Sequence, residues 1–355
     1  MEQLQMTRST QLKAKPAADQ LGFGRHFTDH MLLMDYSKGQ GWHTPRIVPY
    51  GPLTLDPSAM VFHYGQEVFE GMKAYRTPQG EVVLFRPDMN LKRLNHSCER
   101  LSIPQVDETA LLDAIRQLIV LEKDWIPEGE GNSLYIRPFI IATEPGLGVR
   151  AAHDYLLLVI LSPVGAYYSE GIHPVRIYVE DQFVRAVRGG TGEAKTSGNY
   201  ASGIKAQEVA EGLGFSQVLW LDGVEHKYIE EVGSMNVFFK VNGEVITPAL
   251  NGSILAGVTR DSVIHMLKSW GVKVTERRIS VEELYTAWQE GKLEEAFGTG
   301  TAAVISPIGF MKWEGHEMEI NGGETGDYAK KLYEQLTGIQ RGELDDPFNW
   351  RYVVR

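Results

Sequence analysis

The chain has 355 residues, 43% of them hydrophobic and 23% charged, a globular balance that excludes a disordered or fibrous protein. At roughly 100–200 residues per domain, the length suggests two domains, each able to bury a core. Its 35 Lys and Arg against 46 Asp and Glu leave a net charge of −11. That charge argues against a whole-protein role on nucleic acid or anionic membrane, since both recruit basic surfaces.

The opening residues, MEQLQMTRSTQLKAKP, lack the apolar stretch of a secretory signal. Arg8, Lys13 and Lys15 would suit an organelle transit segment, but Glu2 and the lack of an Arg-rich face weigh against it. Val61–Tyr64 and Glu81–Phe85 read as strands. Pro87 and Asp88 open a helix through Leu101, Pro suiting the first turn and Asp capping free N–H groups. Within it lies the single cysteine, Cys98. It permits no disulfide framework, which points to a reducing, cytoplasmic compartment. Shared helical spacing with Leu91, Leu94 and Leu101 makes Cys98 a core residue rather than a nucleophile.

Asp107 caps a second helix with Leu111, Ala114, Ile115 and Leu118 on one face. Ser133–Ala142 and Tyr155–Leu161 follow as buried strands, the latter far too short to span a bilayer. The stretch 163–174, PVGAYYSEGIHP, has two Gly, two Pro and no periodicity, and reads as a linker. Val175–Val179 is strand-like. Asn199–Leu213 reads as a helix with Ala206, Val209, Ala210 and Leu213 on one face, and Gln217–Leu221 as a strand. Asn242–Gly243 joins Met235–Val241 to Glu244–Thr247 as a hairpin, because Asn-Gly suits a turn with positive φ at both positions. Val258–Trp270 is a helix stopped by Gly271.

Three glycine-rich stretches compete as sites. GGTGEAKTSGNY (189–200) nearly matches a phosphate-binding loop, but Ala194 replaces the second required Gly and the preceding DQFVRAV is too charged for the buried strand that motif needs. GTGTAA (298–303) fits the dinucleotide pattern without the helix that must follow it. It still makes a nest of backbone N–H groups, with Thr299 and Thr301 as further donors. LAGVTRD (255–261) leads a Gly into a helix whose N-terminus can take phosphate. Taken alone, Thr259 is a helix cap. Two anion nests plus Lys195, isolated in a Gly-rich loop, together suggest a phosphorylated cofactor and a reactive amine able to form a Schiff base.

Eight collinear motifs now carry a resemblance: HYGQEVFEGMKAYR (63–76), LFRPDMNLKRL (84–94), SLYIRPFII (133–141), PVGAYY (163–168), GGTGEAKTSGNY (189–200), IEEVGSMNVFF (229–239), LNGSILAGVTRDSV (250–263) and EAFGTGTAAVISP (295–307). In these the chain resembles the branched-chain amino acid aminotransferases, fold-type IV pyridoxal-phosphate enzymes. The expected fold is α/β (α+β, two-domain): a smaller N-terminal domain over 1–168, a linker over 169–180 and a larger cofactor-binding domain over 181–355.

The resemblance implies pyridoxal 5'-phosphate as cofactor, no metal, and Lys195 as the Schiff-base lysine and proton shuttle. Glu231 would face the pyridine nitrogen, with neighbouring Glu230 left as a surface carboxylate. Tyr200 would meet the phenolic oxygen. Arg93, the Val258 and Thr259 N–H groups and the Thr259 and Thr301 hydroxyls would take the phosphate. Ser234 joins the cofactor set, standing where many relatives carry Thr.

For substrate, the resemblance implies a wall of Tyr64, Phe69, Tyr167 and Tyr200, with Leu147 and Val149 supplied by the second copy of a homodimer. Arg137, supported by Tyr135, would clamp the side-chain carboxylate of glutamate. Tyr135 and the Thr301–Ala302 N–H pair would hold the α-carboxylate. Any single Tyr or Phe here would otherwise count as core packing. Ala303 and Ser306 stand where some animal relatives have a Cys-x-x-Cys pair, so no thiol switch is expected there.

The implied reaction is ping-pong transamination of Leu, Ile or Val with 2-oxoglutarate, with small-molecule partners only. D-amino acid aminotransferases and aminodeoxychorismate lyases share the fold type, but YIRP and VFEGMKAY favour the branched-chain group. A non-catalytic sensor of a phosphorylated ligand is the rival from another class, opposed by the joint presence of Lys195, Tyr200 and Glu231.

Overall fold

The structure, a computed structural model, describes residues 2–129, 131–165 and 172–355. The chain divides into two compact units. The first is Met1–Ser169 with Ala194–Ser197 and Gly338–Arg355; the second is Glu170–Glu193 with Gly198–Thr337.

The first unit is built on a sheet of β1 (Gln5–Met6), β2 (His30–Ser37), β3 (Gly41–Pro49), β4 (Glu67–Phe69), β5 (Met72–Arg76), β6 (Val82–Phe85), β7 (Ser133–Ala142) and β8 (Asp154–Val164). Its order is β1-β3-β2-β8-β7-β5-β6, with β4 also on β7. The chain's last strand, Arg351–Val354, completes the edge by pairing antiparallel with β6.

Alternation along the central strands sorts the two faces. Leu134 and Ile136 of β7 and Leu157, Val159 and Leu161 of β8 share one core with Leu91, Leu94 and Cys98 of α2 (Pro87–Arg100). Leu111, Ile115 and Leu118 of α3 (Glu108–Leu121) join that core, and fully burying each such leucine or isoleucine contributes about 1.5–3 kcal/mol. The opposite parity of β7, starting with Tyr135 and Arg137, faces away from those helices. Farther along it, Phe139 and Ile141 pack into a second cluster with Met31, Leu33, Leu156 and Leu158.

The second unit's sheet holds β9 (Val175–Glu180), β10 (Gln217–Leu221), β11 (Ile229–Val232), β12 (Asn236–Val241), β13 (Glu244–Thr247), β14 (Val274–Glu276), β15 (Leu293–Gly300), β16 (Val304–Trp313) and β17 (His316–Glu319). Its order is β11-β10-β9-β16-β15-β12-β13-β14, with β17 on β16. The helices are α4 (Ser197–Ala201), α5 (Ile204–Gly212), α6 (Val258–Ser269), α7 (Val281–Gln289) and α8 (Asp327–Arg341).

Several local expectations hold. Asp107 accepts a hydrogen bond from the Ala110 N–H, closing the start of α3. Asn242 and Gly243 take φ of 50° and 76° between β12 and β13, and Gly271 at φ 74° follows α6. Cys98 is buried in the core, and burial pushes its thiol up to about 12.

Others are corrected. Residues 61–64 belong to one helical turn, α1 (Met60–Tyr64), stopped by left-handed Gly65; four residues are too few to separate the two periods. No side chain caps α2: its N-cap is Arg86 at φ 48°, and Asp88 instead sits 3.6 Å from Lys92 one turn on. The helix expected over 199–213 is two helices, α4 and α5. Only Ala206 and Ala210 of the four expected face residues are buried, while Val209 and Leu213 are exposed.

Gly298 and Gly300 lie in strand β15, so the turn is confined to 301–303. The strand read at Val175–Val179 is β9, which shortens the linker expected over 169–180; residues 166–171 of that region lie outside the described residues. Ala194–Ser197 and Gly338–Arg355, assigned by sequence to the second domain, group with the first unit.

Candidate active site

In the first unit, Lys195 is held through its backbone. Its N–H donates to Ser97 Oγ at 2.9 Å, and its C=O accepts from the Phe69 N–H at 3.0 Å. Thr196 Oγ1 donates to the Glu67 carbonyl at 2.7 Å, and the Ser197 N–H to Glu67 Oε2 at 2.9 Å. A four-residue insertion is thereby stitched to α2 and β4.

The Lys195 amine lies 4.7 Å from the Phe69 ring centroid, and the Arg137 guanidinium 4.8 Å from the same centroid. Withdrawal from water, reinforced by the positive charges of Arg93 and Arg137, lowers the Lys195 amine to about 8; Glu70 and Tyr135 oppose the shift. Arg137 Nη2 donates to the Tyr135 hydroxyl at 3.2 Å, while Arg137 Nε is buried with no partner. Arg93 forms a two-pronged ion pair with buried Glu70, Nε to Oε1 at 2.7 Å and Nη2 to Oε2 at 3.0 Å. Lys195, Arg93, Phe69, Tyr135 and Arg137, named from distant stretches of sequence, thus come together here.

Tyr64, at the end of α1, donates its hydroxyl to the Leu147 carbonyl. Leu147 and Val149 stand 67% and 83% exposed. Tyr167 lies outside the described residues.

In the second unit, Glu231 on β11 is buried. Its Oε2 lies 2.6 Å from Arg185 Nε, and its Oε1 accepts from the Leu255 N–H at 3.0 Å. Tyr200, Glu231 and Ser234 line one cavity of about 410 Å³ with Arg185, Asn199 and Trp220. Glu230 is also buried rather than on the surface. It accepts from Ser253 Oγ and from Asn251 Nδ2 at 3.4 Å, and burial pushes its carboxyl up.

Asn236 organises the rest. It donates to the Leu255 carbonyl at 2.9 Å, and a Cβ at Gly257 would fall 2.0 Å from its Oδ1. Gly257 is the N-cap of α6 and supplies no side-chain cap, leaving Val258 and Thr259 to open the helix. Across the sheet from Asn236 stands Thr299, whose hydroxyl is buried with no partner. Thr301 and Ala302 form the turn after β15, followed by Val304 at φ 62°.

Each unit thus carries part of what a phosphorylated, aldehyde-bearing cofactor needs. In the first unit an amine drawn toward neutrality suits carbonyl attack, and in the second an uncapped helix N-terminus suits phosphate. Among the described residues no cluster of His, Cys, Asp and Glu could hold a metal ion, and no helix is long and apolar enough to cross a membrane.

Sequence reasoning missed the residues that hold these groups: Ser97 and Glu67 on the Lys195 backbone, Glu70 on Arg93, Arg185 on Glu231, and Asn236. Arg185 carried a signal, since a charge in DQFVRAV calls for a buried acidic partner.

Residues 67–309 match the family model for amino-transferase class IV. The chain belongs to the class IV aminotransferases. It is 64% identical over 342 residues to branched-chain-amino-acid aminotransferase 2 of Bacillus subtilis (strain 168), covering 96% of this chain and 94% of that protein. The branched-chain amino acid aminotransferase structure of Escherichia coli matches with TM-score 0.77 and 27% identity, over 92% of this chain and 99% of that one. The branched-chain aminotransferase of the thermophilic archaeon Thermoproteus uzoniensis, solved with norvaline, matches with TM-score 0.73 and 25% identity, over 91% of this chain and 100% of that one.

Proposed function

We propose that this enzyme transfers the amino group of L-leucine, L-isoleucine or L-valine to 2-oxoglutarate, giving branched 2-oxo acids and L-glutamate, with pyridoxal 5'-phosphate as cofactor. The observation that carries this reading is Lys195: an amine fixed through its own N–H and C=O and lowered to about 8 by burial and two arginines.

When bound, the cofactor supplies a carbonyl for amino-group exchange and a ring that draws electrons from the substrate Cα. Lys195 would hold it covalently, Glu231 would meet its ring nitrogen and Tyr200 its phenolic oxygen. Arg93, the N–H groups of Val258 and Thr259, and the hydroxyls of Thr259 and Thr301 take its phosphate, with Ser234 alongside. With the cofactor and substrate bound, the Lys195 amine would take the proton from the substrate Cα as general base and return it as acid. An amine near 8 is well matched to that task at neutral pH.

Phe69, Tyr64 and Tyr200 would receive the substrate side chain. One methylene there discriminates by only about 1–3 kcal/mol, so all three branched substrates enter. Arg137 binds the side-chain carboxylate of glutamate; its unpartnered buried Nε supports this. Tyr135 and the Thr301 and Ala302 N–H groups hold the α-carboxylate. The working form is a homodimer in the cytoplasm, to which Leu147 and Val149 contribute by reaching the second copy. Their exposure as large apolar side chains supports that reading.

Borohydride reduction of the cofactor-loaded protein followed by peptide mass spectrometry should place the modification on Lys195. A modified lysine elsewhere overturns the assignment. Turnover of L-leucine should far exceed that of D-alanine; the reverse order would place the enzyme with the D-amino acid branch.

A further inference from the structure

We infer that Glu70 is a positioning residue that aims Arg93 at the cofactor phosphate. The inference rests on the reading of Arg93 as the phosphate residue.

Glu70 sits between β4 and β5, completely buried. Stripping a carboxylate of water costs several kcal/mol unless partners replace the water. Four donors do so here. Arg93 Nε reaches Oε1 at 2.7 Å; Arg93 Nη2 at 3.0 Å, Asn90 Nδ2 at 2.8 Å and the Gly71 N–H at 3.1 Å all reach Oε2. Asn90 and Arg93 are three residues apart on α2, so both project from one face of that helix. Asn90 also donates to the Gly71 carbonyl at 3.2 Å, and the Glu70 N–H donates to the Pro138 carbonyl at 2.7 Å. The carboxylate is thus held by Asn90 and the Gly71 N–H besides Arg93, and the Glu70 backbone is tied to β7, so the residue does not follow a moving arginine.

The consequence is geometric. A guanidinium gripped along its Nε–Nη2 edge is fixed in its plane, and the Nη1–Nη2 edge is the one an arriving anion meets. An arginine without that grip keeps its charge but loses its aim, and must pay its side-chain entropy when phosphate binds. The role also accounts for a costly buried charge that no substrate needs to touch.

Pyridoxal, which lacks the phosphate, provides the test. Apo-protein is titrated with pyridoxal 5'-phosphate and with pyridoxal, followed by visible absorbance, for wild type, Glu70→Gln, Arg93→Lys and Arg93→Met. Hydrogen bonds to charged groups contribute about 1.5–3 kcal/mol, so a Glu70→Gln protein should lose about ten- to a hundredfold affinity for the phosphorylated form. Its affinity for pyridoxal should stay within about threefold. Arg93→Lys keeps the charge but not the two-pronged grip, and should show the same selective loss even if Glu70→Gln fails to fold.

Equal loss for both ligands in Glu70→Gln would mean a merely structural role and overturn the inference. Full phosphate selectivity in Arg93→Lys overturns it too, because charge alone would then suffice. Full selectivity in Arg93→Met instead overturns the reading of Arg93 itself.

Discussion

Lys195 shows how a residue's chemistry depends on what surrounds it. In water its amine would ionise near 10.5; here withdrawal from solvent, then Arg93 and Arg137, bring it to about 8. Only the neutral amine attacks a carbonyl, so the rate at which apo-protein captures pyridoxal 5'-phosphate should climb with pH and level off just above 8. Stopped-flow absorbance from about pH 6 to about pH 11 checks this, and a rate still climbing past about pH 10 would show an unperturbed lysine. Arg137 carries a second expectation. Replacing it with Met removes the cation whose Nε has no partner among the described residues. KM for 2-oxoglutarate should rise at least about tenfold while KM for leucine stays within about threefold. Equal losses for both substrates would remove the clamp role.

At the scale of elements, the loop before Lys195 is locked against the loop before α6. A Cβ on Gly192 would fall 2.2 Å from the Ser253 backbone carbonyl, a contact no rotamer change relieves. The Gly192 carbonyl also accepts from Arg185 Nη2 at 3.1 Å, and Arg185 in turn pairs with Glu231. Gly192→Ala should therefore lower unfolding free energy in urea by about 1–3 kcal/mol and weaken cofactor binding together. Unchanged stability would mean the loop can shift freely. Local signals placed some elements well: the Asp107 cap, the Asn242–Gly243 turn and the Gly271 stop all act over a few neighbouring residues. Where the deciding contact lay outside the segment, the reading failed. Residues 61–64 went to a helix turn capped by Gly65, and Val209 and Leu213 stayed exposed although their spacing matched a buried face.

At the scale of the whole molecule, the C-terminal tail belongs to the unit where the chain began. Arg351–Val354 pairs with β6, Trp350 packs edge-on against Phe85 at 5.6 Å, and the Arg86 guanidinium lies 5.0 Å from the Trp350 ring. Ending the chain after Glu343 should lower Tm by several degrees and promote association through the bared edge of β6. An unchanged melting curve and a monodisperse profile would show the strand is dispensable.

From the chain alone came the cofactor class and the roles proposed for Lys195, Arg93, Arg137 and Glu231, because those residues sit in contiguous motifs that carry the family resemblance. What holds them was not readable. Ser97 meets Lys195 across 98 residues and Glu67 meets Ser197 across 130. Such pairings emerge only when strand alternation and helix packing bring remote segments to one face of a sheet. No short-range preference encodes a contact whose formation depends on the closure of so long a loop. Chemistry was therefore written locally, while the aim, burial and charge state of each reacting group were settled by tertiary packing.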